Sequence, residues 1–169
     1  MTEPLMGDFG LVRINGDAGR LIRIGQWLNR NGFDNYEHAF LYLGNGMIIE
    51  AEPGGARLNE LTYTDVMWST GHISLTDQQR TRIALVGTGF EHVPYSALDY
   101  FALAALRTRM PFTKKLEGYV KTSKHMICSQ LVDRAYNLAG VELFKDGRFD
   151  GEVTPGALEQ RLLHPNQFV

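Results

Sequence analysis

The tripeptide Gly44-Asn45-Gly46 constrains the fold of this chain more than any other short stretch. Glycine takes a left-handed backbone without steric cost, and asparagine tolerates one better than most residues. The flanking stretches, residues 38–43 and 47–52, are mostly apolar, and so the segment reads as two antiparallel strands closed by a tight turn. A three-residue loop with Gly46 left-handed pairs Leu43 with Met47, sets Phe40 opposite Glu50 and sets His38 opposite Glu52. Side chains alternate along a strand, so His38, Phe40 and Tyr42 then share a face with Ile48, Glu50 and Glu52. A two-residue loop would slip the register by one and send both glutamates to the face away from His38.

An imidazole beside a carboxylate has a specific chemistry. The carboxylate accepts the proton of one ring nitrogen, which fixes the tautomer, and it stabilises the imidazolium. That is the supporting half of a nucleophile, base and orienter. A surface cross-strand His–Glu pair worth a few tenths of a kcal/mol has the same residues. Glu50 and Glu52 both stand as candidates to orient His38.

The missing half would be a nucleophile, and the chain has a single cysteine, Cys128. One cysteine excludes an intrachain disulfide framework and any multi-cysteine metal site. It lies in a predicted helix over residues 124–138, with Leu131, Val132, Ala135 and Leu138 as the apolar stripe and Gly140 as the stop. In the first helical turn, free backbone N–H groups and the positive end of the dipole favour a thiolate. The same N–H groups can hold an oxyanion. Taken alone, a lone free cysteine is more often an inert buried residue.

Elsewhere the pattern predicts strands over residues 9–14 and 71–75. It predicts helices over residues 17–29, 76–86 and 96–108, and a last helix opened by Thr154-Pro155. Residues 110–122 read as loop. The order is α+β, with an antiparallel unit flanked by helices and no regular βαβ alternation. At 169 residues, one domain over residues 1–169 buries a sizeable core. No signal peptide or apolar span of about 20 residues is visible, so a soluble, cytoplasmic chain is expected, without membrane insertion. Release by lysis or within a virion would need no such signal. The net charge of −2 argues against a nucleic-acid partner. His125 and Cys128 lack two further metal ligands at usable spacing, so neither metal nor cofactor is expected. His72, His92 and His164 read as surface or strand-end residues. Tyr36 and Tyr42 are possible hydrogen-bond donors near the site. Arg107, Arg109, Lys114, Lys115, Lys121 and Lys124 read as a solvated surface or as contacts to an anionic substrate or membrane face.

The stretch from His38 to Ala51 resembles the hairpin of the circularly permuted NlpC-like, papain-like superfamily, which includes bacterial YiiX-like hydrolases and the lecithin:retinol acyltransferase group. Gly7-Asp8 precedes the first strand as in many members. Glu50-Ala51 with Gly54-Gly55-Ala56 is similar to the family's acid–Ala and Gly-Val stretch. Pro94-Tyr95-Ser96 is similar to its helix-opening Tyr, and Cys128-Ser129-Gln130-Leu131-Val132 resembles the Cys-Ser motif of the bacterial branch. Together these span about residues 7–140. The resemblance implies a papain-like antiparallel sheet packed against helices, with Cys128 as nucleophile, His38 as base and Glu50 as the residue that orients it. The acyltransferase group differs around its Cys, often has a second His where Glu50 stands, and commonly carries a hydrophobic tail, so the hydrolase branch is favoured. The expected activity is amide hydrolysis on a cell-wall-type peptide. A lipid esterase or acyltransferase using the same residues, and a non-catalytic binding or structural module, are the competing expectations.

Overall fold

A computed structural model describes residues 3–13, 35–52, 55–92, 128–148 and 153–165. The hairpin forms where the turn chemistry puts it: strand β2 (His38–Gly44) and strand β3 (Met47–Glu52) meet at Asn45 and Gly46. Gly44, Asn45 and Gly46 have φ of 92°, 53° and 75°. The turn is thus a two-residue one with positive φ at both central positions, the kind whose twist matches the flanking strands. Leu43 does not pair with Met47 as a three-residue loop would require. Met47 pairs with Gly44, Ile48 pairs with Tyr42, and Leu43 is the extra residue of a bulge. The bulge cancels the slip that a two-residue turn would cause, and Phe40 still faces Glu50.

Strands β1 (Phe9–Val12), β4 (Gly55–Glu60) and β5 (Met67–Trp68) complete an antiparallel five-stranded sheet in the order β4-β3-β2-β1-β5. The sequence pattern missed β4 and β5. Pro53-Gly54-Gly55 reads as a terminator, yet β4 starts at Gly55 and pairs along the whole of β3. The strand expected over residues 71–75 is instead a turn and irregular chain. Gly71 is left-handed, and the amides of His72 and Ile73 donate to the Ser69 carbonyl.

Helix α1 (Asp77–Thr88) starts where Thr76 caps it, with Gln79 completing a capping box. Helix α2 is described over Cys128–Leu138, and Gly140, left-handed at φ 81°, follows its end. Helix α3 (Pro155–Leu163) is capped by Thr154, whose Oγ1 accepts from the Ala157 amide at 3.1 Å. The expected helices over residues 17–29 and 96–108, the loop over residues 110–122 and the helix start before Cys128 lie outside the described residues. The architecture is α+β, an antiparallel sheet with helices.

The sheet carries two apolar clusters. On one face Phe9, Leu11, Ala39, Leu41 and Ile49 meet Leu131, Val132 and Tyr136 of α2, together with Ile83 of α1 and Leu158 of α3. Removing each such aliphatic side chain from water is worth about 1.5–3 kcal/mol. On the opposite face Val12, Phe40 and Ile48 lie beneath Tyr42, Tyr63, Val66 and Trp68. A partly buried ion pair fixes the start of β1 to α1: the buried Asp8 accepts from Arg80 at 2.8 Å and from the Thr70 hydroxyl at 2.7 Å.

Candidate active site

His38 is the first residue of β2, and Cys128 is the first described residue of α2. Helix α2 packs on β2, so the two ends meet. The thiol and the imidazole are hydrogen-bonded there. Both side chains are withdrawn from water, His38 at 7% and Cys128 at 3% exposure. On its other side the ring donates through Nε2 to Glu50 Oε2 at 2.6 Å. With Nε2 committed to the carboxylate, Nδ1 is the nitrogen left to face the sulfur. The imidazole therefore bridges the thiol and the acid.

Glu50 reaches His38 because Phe40 pairs with Glu50 in the register set by the Leu43 bulge. The carboxylate is 4% exposed and has donors on both oxygens. Asn59 Nδ2 donates to Oε1 at 2.9 Å, and the Tyr63 hydroxyl donates to Oε2 at 2.7 Å. Asn59 comes from β4 and Tyr63 from the connection between β4 and β5. An aromatic wall backs the site. Tyr63 stacks on Phe40 with ring centres 5.1 Å apart, and Trp68 meets Phe40 edge-on at 5.5 Å. The His38 ring lies 6.1 Å from Tyr63 and 6.5 Å from Phe40.

The electrostatics follow from this arrangement. Burial disfavours a charged His38, but the hydrogen bonds to Cys128 and Glu50 and their negative charge outweigh it, pushing the imidazole up to about 10. Burial would raise Glu50, yet donation from His38, Asn59 and Tyr63, with the charge of His38, holds its carboxyl below the ordinary carboxylate value. The arrangement favours an imidazolium between the Cys128 sulfur and the Glu50 carboxylate.

The structure thus brings together Cys128, His38 and Glu50. The Asn59 and Tyr63 donors were missed by sequence reading. Asn59 follows from the β3–β4 register, with Ile48 opposite Asn59, but β4 itself was not foreseen. Tyr63 carried no signal. Tyr42 serves the turn instead, its hydroxyl accepting from the Gly46 amide at 3.1 Å. Tyr36 is half-buried with the Arg13 guanidinium over its ring. His72 contacts the Leu162 carbonyl, His92 is exposed beside Arg57, and His164 ends α3. His125 and the basic stretch from Arg107 to Lys124 lie outside the described residues. Among the described residues, no group of three or more His, Cys, Asp or Glu side chains is arranged to hold a metal, and no helix is long and apolar enough to cross a membrane. No family model matches the chain, and no curated protein matches it.

Proposed function

We propose that this chain is a cysteine hydrolase of amide bonds, with a papain-like core of the permuted NlpC type, acting on cell-wall-type peptides. One observation carries the reading: the imidazole of His38 is held between the thiol of Cys128 and the carboxylate of Glu50. A carboxylate with two other donors, Asn59 and Tyr63, one on each oxygen, has no need of histidine to be satisfied. A buried thiol with no chemistry to perform has no need of an imidazolium. The resemblance of residues 38–51 and 128–132 to the permuted hydrolases supports the same roles.

The mechanism follows from the order of contacts. The thiolate of Cys128 attacks the scissile carbonyl carbon. Imidazolium His38 gives its Nδ1 proton to the leaving amine, and as the neutral base it then takes a proton from the water that releases the acyl group. Glu50 keeps Nε2 protonated, so that Nδ1 is the nitrogen that works. The backbone N–H of Cys128 is a donor for the oxyanion.

Iodoacetamide alkylation of Cys128 followed against pH in wild type and in His38→Ala tests the pairing. An activated thiol reacts well below pH 8.5 in wild type, and its profile moves toward about 8.5 in the variant. A single titration near 8.5 in both proteins sinks the reading. Incubation with peptidoglycan fragments and with phospholipid vesicles, read by mass spectrometry, identifies the bond. A Cys128-dependent peptide product supports amide hydrolysis. A Cys128-dependent lipid product replaces it with an esterase or acyltransferase, and no product from either favours a binding module.

A further inference from the structure

Glu50 holds its partner with a single oxygen, and that oxygen is shared. Oε2 accepts both from His38 Nε2 at 2.6 Å and from the Tyr63 hydroxyl at 2.7 Å. Tyr63 is not simply a core aromatic whose hydroxyl found a nearby acceptor. Its ring is stacked on Phe40 and tilted against His38, which leaves the hydroxyl pointed at the acid from the side of the aromatic wall. A carboxylate oxygen shared in this way is a weaker base toward the histidine proton, because its charge is already engaged by a second donor. The Tyr63 hydroxyl, held by the wall, therefore bears on the position of that one proton.

We propose that Tyr63 is a positioning residue, whose hydroxyl holds Glu50 as an ionised acceptor and so keeps the shared proton on His38 Nε2. The assignment rests on the reading of Cys128, His38 and Glu50 as the reacting set. Among the described residues, three side chains donate to the carboxylate. His38 faces it from β2, Asn59 from β4 and Tyr63 from the β4–β5 connection. Arg57 is its register partner on β4, exposed and turned to His92. Cys128 of α2 touches the ring, whose charge it shares with Glu50.

Tyr63→Phe keeps the ring and removes only the hydroxyl. Titration of the His38 ring by nitrogen NMR on histidine-labelled protein has an acid step that reports Glu50 ionisation. In Tyr63→Phe that step is expected to rise by about one pH unit, since a hydrogen bond to a charged group is of that size. Iodoacetamide alkylation at a pH on the step is expected to fall several-fold. An acid step where wild type has it, with a lowered melting temperature, would mean that the hydroxyl only packs, and it overturns the proposal. A second measurement needs no substitution: the Tyr63 hydroxyl proton of wild type gives a slowly exchanging downfield resonance that is lost as Glu50 is protonated. Its absence at neutral pH overturns the proposal even if the variant does not fold. Failure of the triad reading is separate. If alkylation ignores His38→Ala, the reacting set is wrong while a shifted acid step still ties Tyr63 to Glu50.

Discussion

The two faces of the sheet are built for different tasks. The strand residues of the helix-covered face are mostly aliphatic: Leu11, Ala39, Leu41 and Ile49 lie under α2 and α1 and bring no titratable group. The other face is aromatic and polar: Phe40 is sandwiched by Tyr63 and Trp68, and His38 and Glu50 lie beside it. The first fixes the helix that carries Cys128. The second fixes the carboxylate that carries the charge. The imidazole belongs to both, since its hydrogen bonds lead to the thiol on one side and to the acid on the other. Removing the acid should cost most, and a pair of glycines, one under each face, shows how rigid each is.

Glu50→Ala should be the most damaging change. It takes the carboxylate from the buried imidazole of His38, and removing one partner of a buried pair typically costs about 3–5 kcal/mol. The pH profile adds a signature. Glu50 sits below its ordinary value, so it contributes stability above about 4.5, which is lost as pH falls through its folded value. His38 is raised, so its contribution is complete below about 6.5 and is lost as pH rises toward about 10. Wild type should therefore melt highest between those limits, and the variant should lose that maximum. A variant melting as wild type does, with the same pH dependence, would show that the polar face contributes nothing to stability.

Gly10→Ala is the next test. It sits in β1 opposite Phe40, and a β-carbon there would strike Phe40 Cζ and lie 2.7 Å from Val66 Cγ1. The ring cannot yield, because Tyr63 and Trp68 hold it on two sides. Overpacking of this sort costs about 1–3 kcal/mol. Because Phe40 lies 6.5 Å from the His38 ring, thiol alkylation should slow as well. Alkylation unchanged despite a lowered melting temperature would show the wall to be independent of the site.

How much was legible is set by how local each determinant is. The turn residues Gly44, Asn45 and Gly46 and the caps Thr76 and Thr154 state their role within four residues, and the turn and the two helix starts are where they read. Leu43 is different: whether it bulges depends on pairing across the hairpin, and the bulge is what brings Glu50 opposite Phe40. Strand β4 is short and polar where it alternates, and Asn59 counts only because β3 pairs along it. Tyr63 arrives from a connection that crosses the far face, so nothing near it in the chain marks it. His38, Glu50 and Cys128 could be named because the hairpin and the order of residues offered them. That the thiol touches the ring required the fold of α2 onto β2.

Gly87→Ala should have the smallest effect and is the sharpest contrast to Gly10. A β-carbon there strikes Leu41 Cδ2 and lies 3.4 Å from Ile49 Cγ2, so the helix-covered face has no spare space either. But the struck atom is the free end of a side chain, not a stacked ring, so the clash is relieved by displacing a methyl group rather than a ring. Gly87 also lies inside α1, where alanine is favoured over glycine by about 1 kcal/mol. The two effects oppose each other, and the melting temperature should change by no more than the equivalent of about 1 kcal/mol in either direction. Alkylation should be as in wild type, since a β-carbon at Gly87 meets Leu41, Ile49 and Leu43 and none of Cys128, His38 and Glu50. Thermal melts of Gly10→Ala and Gly87→Ala measured side by side settle the difference. If Gly87→Ala costs as much as Gly10→Ala, the aliphatic face is as rigid as the aromatic one, and the greater tolerance assigned to it is wrong.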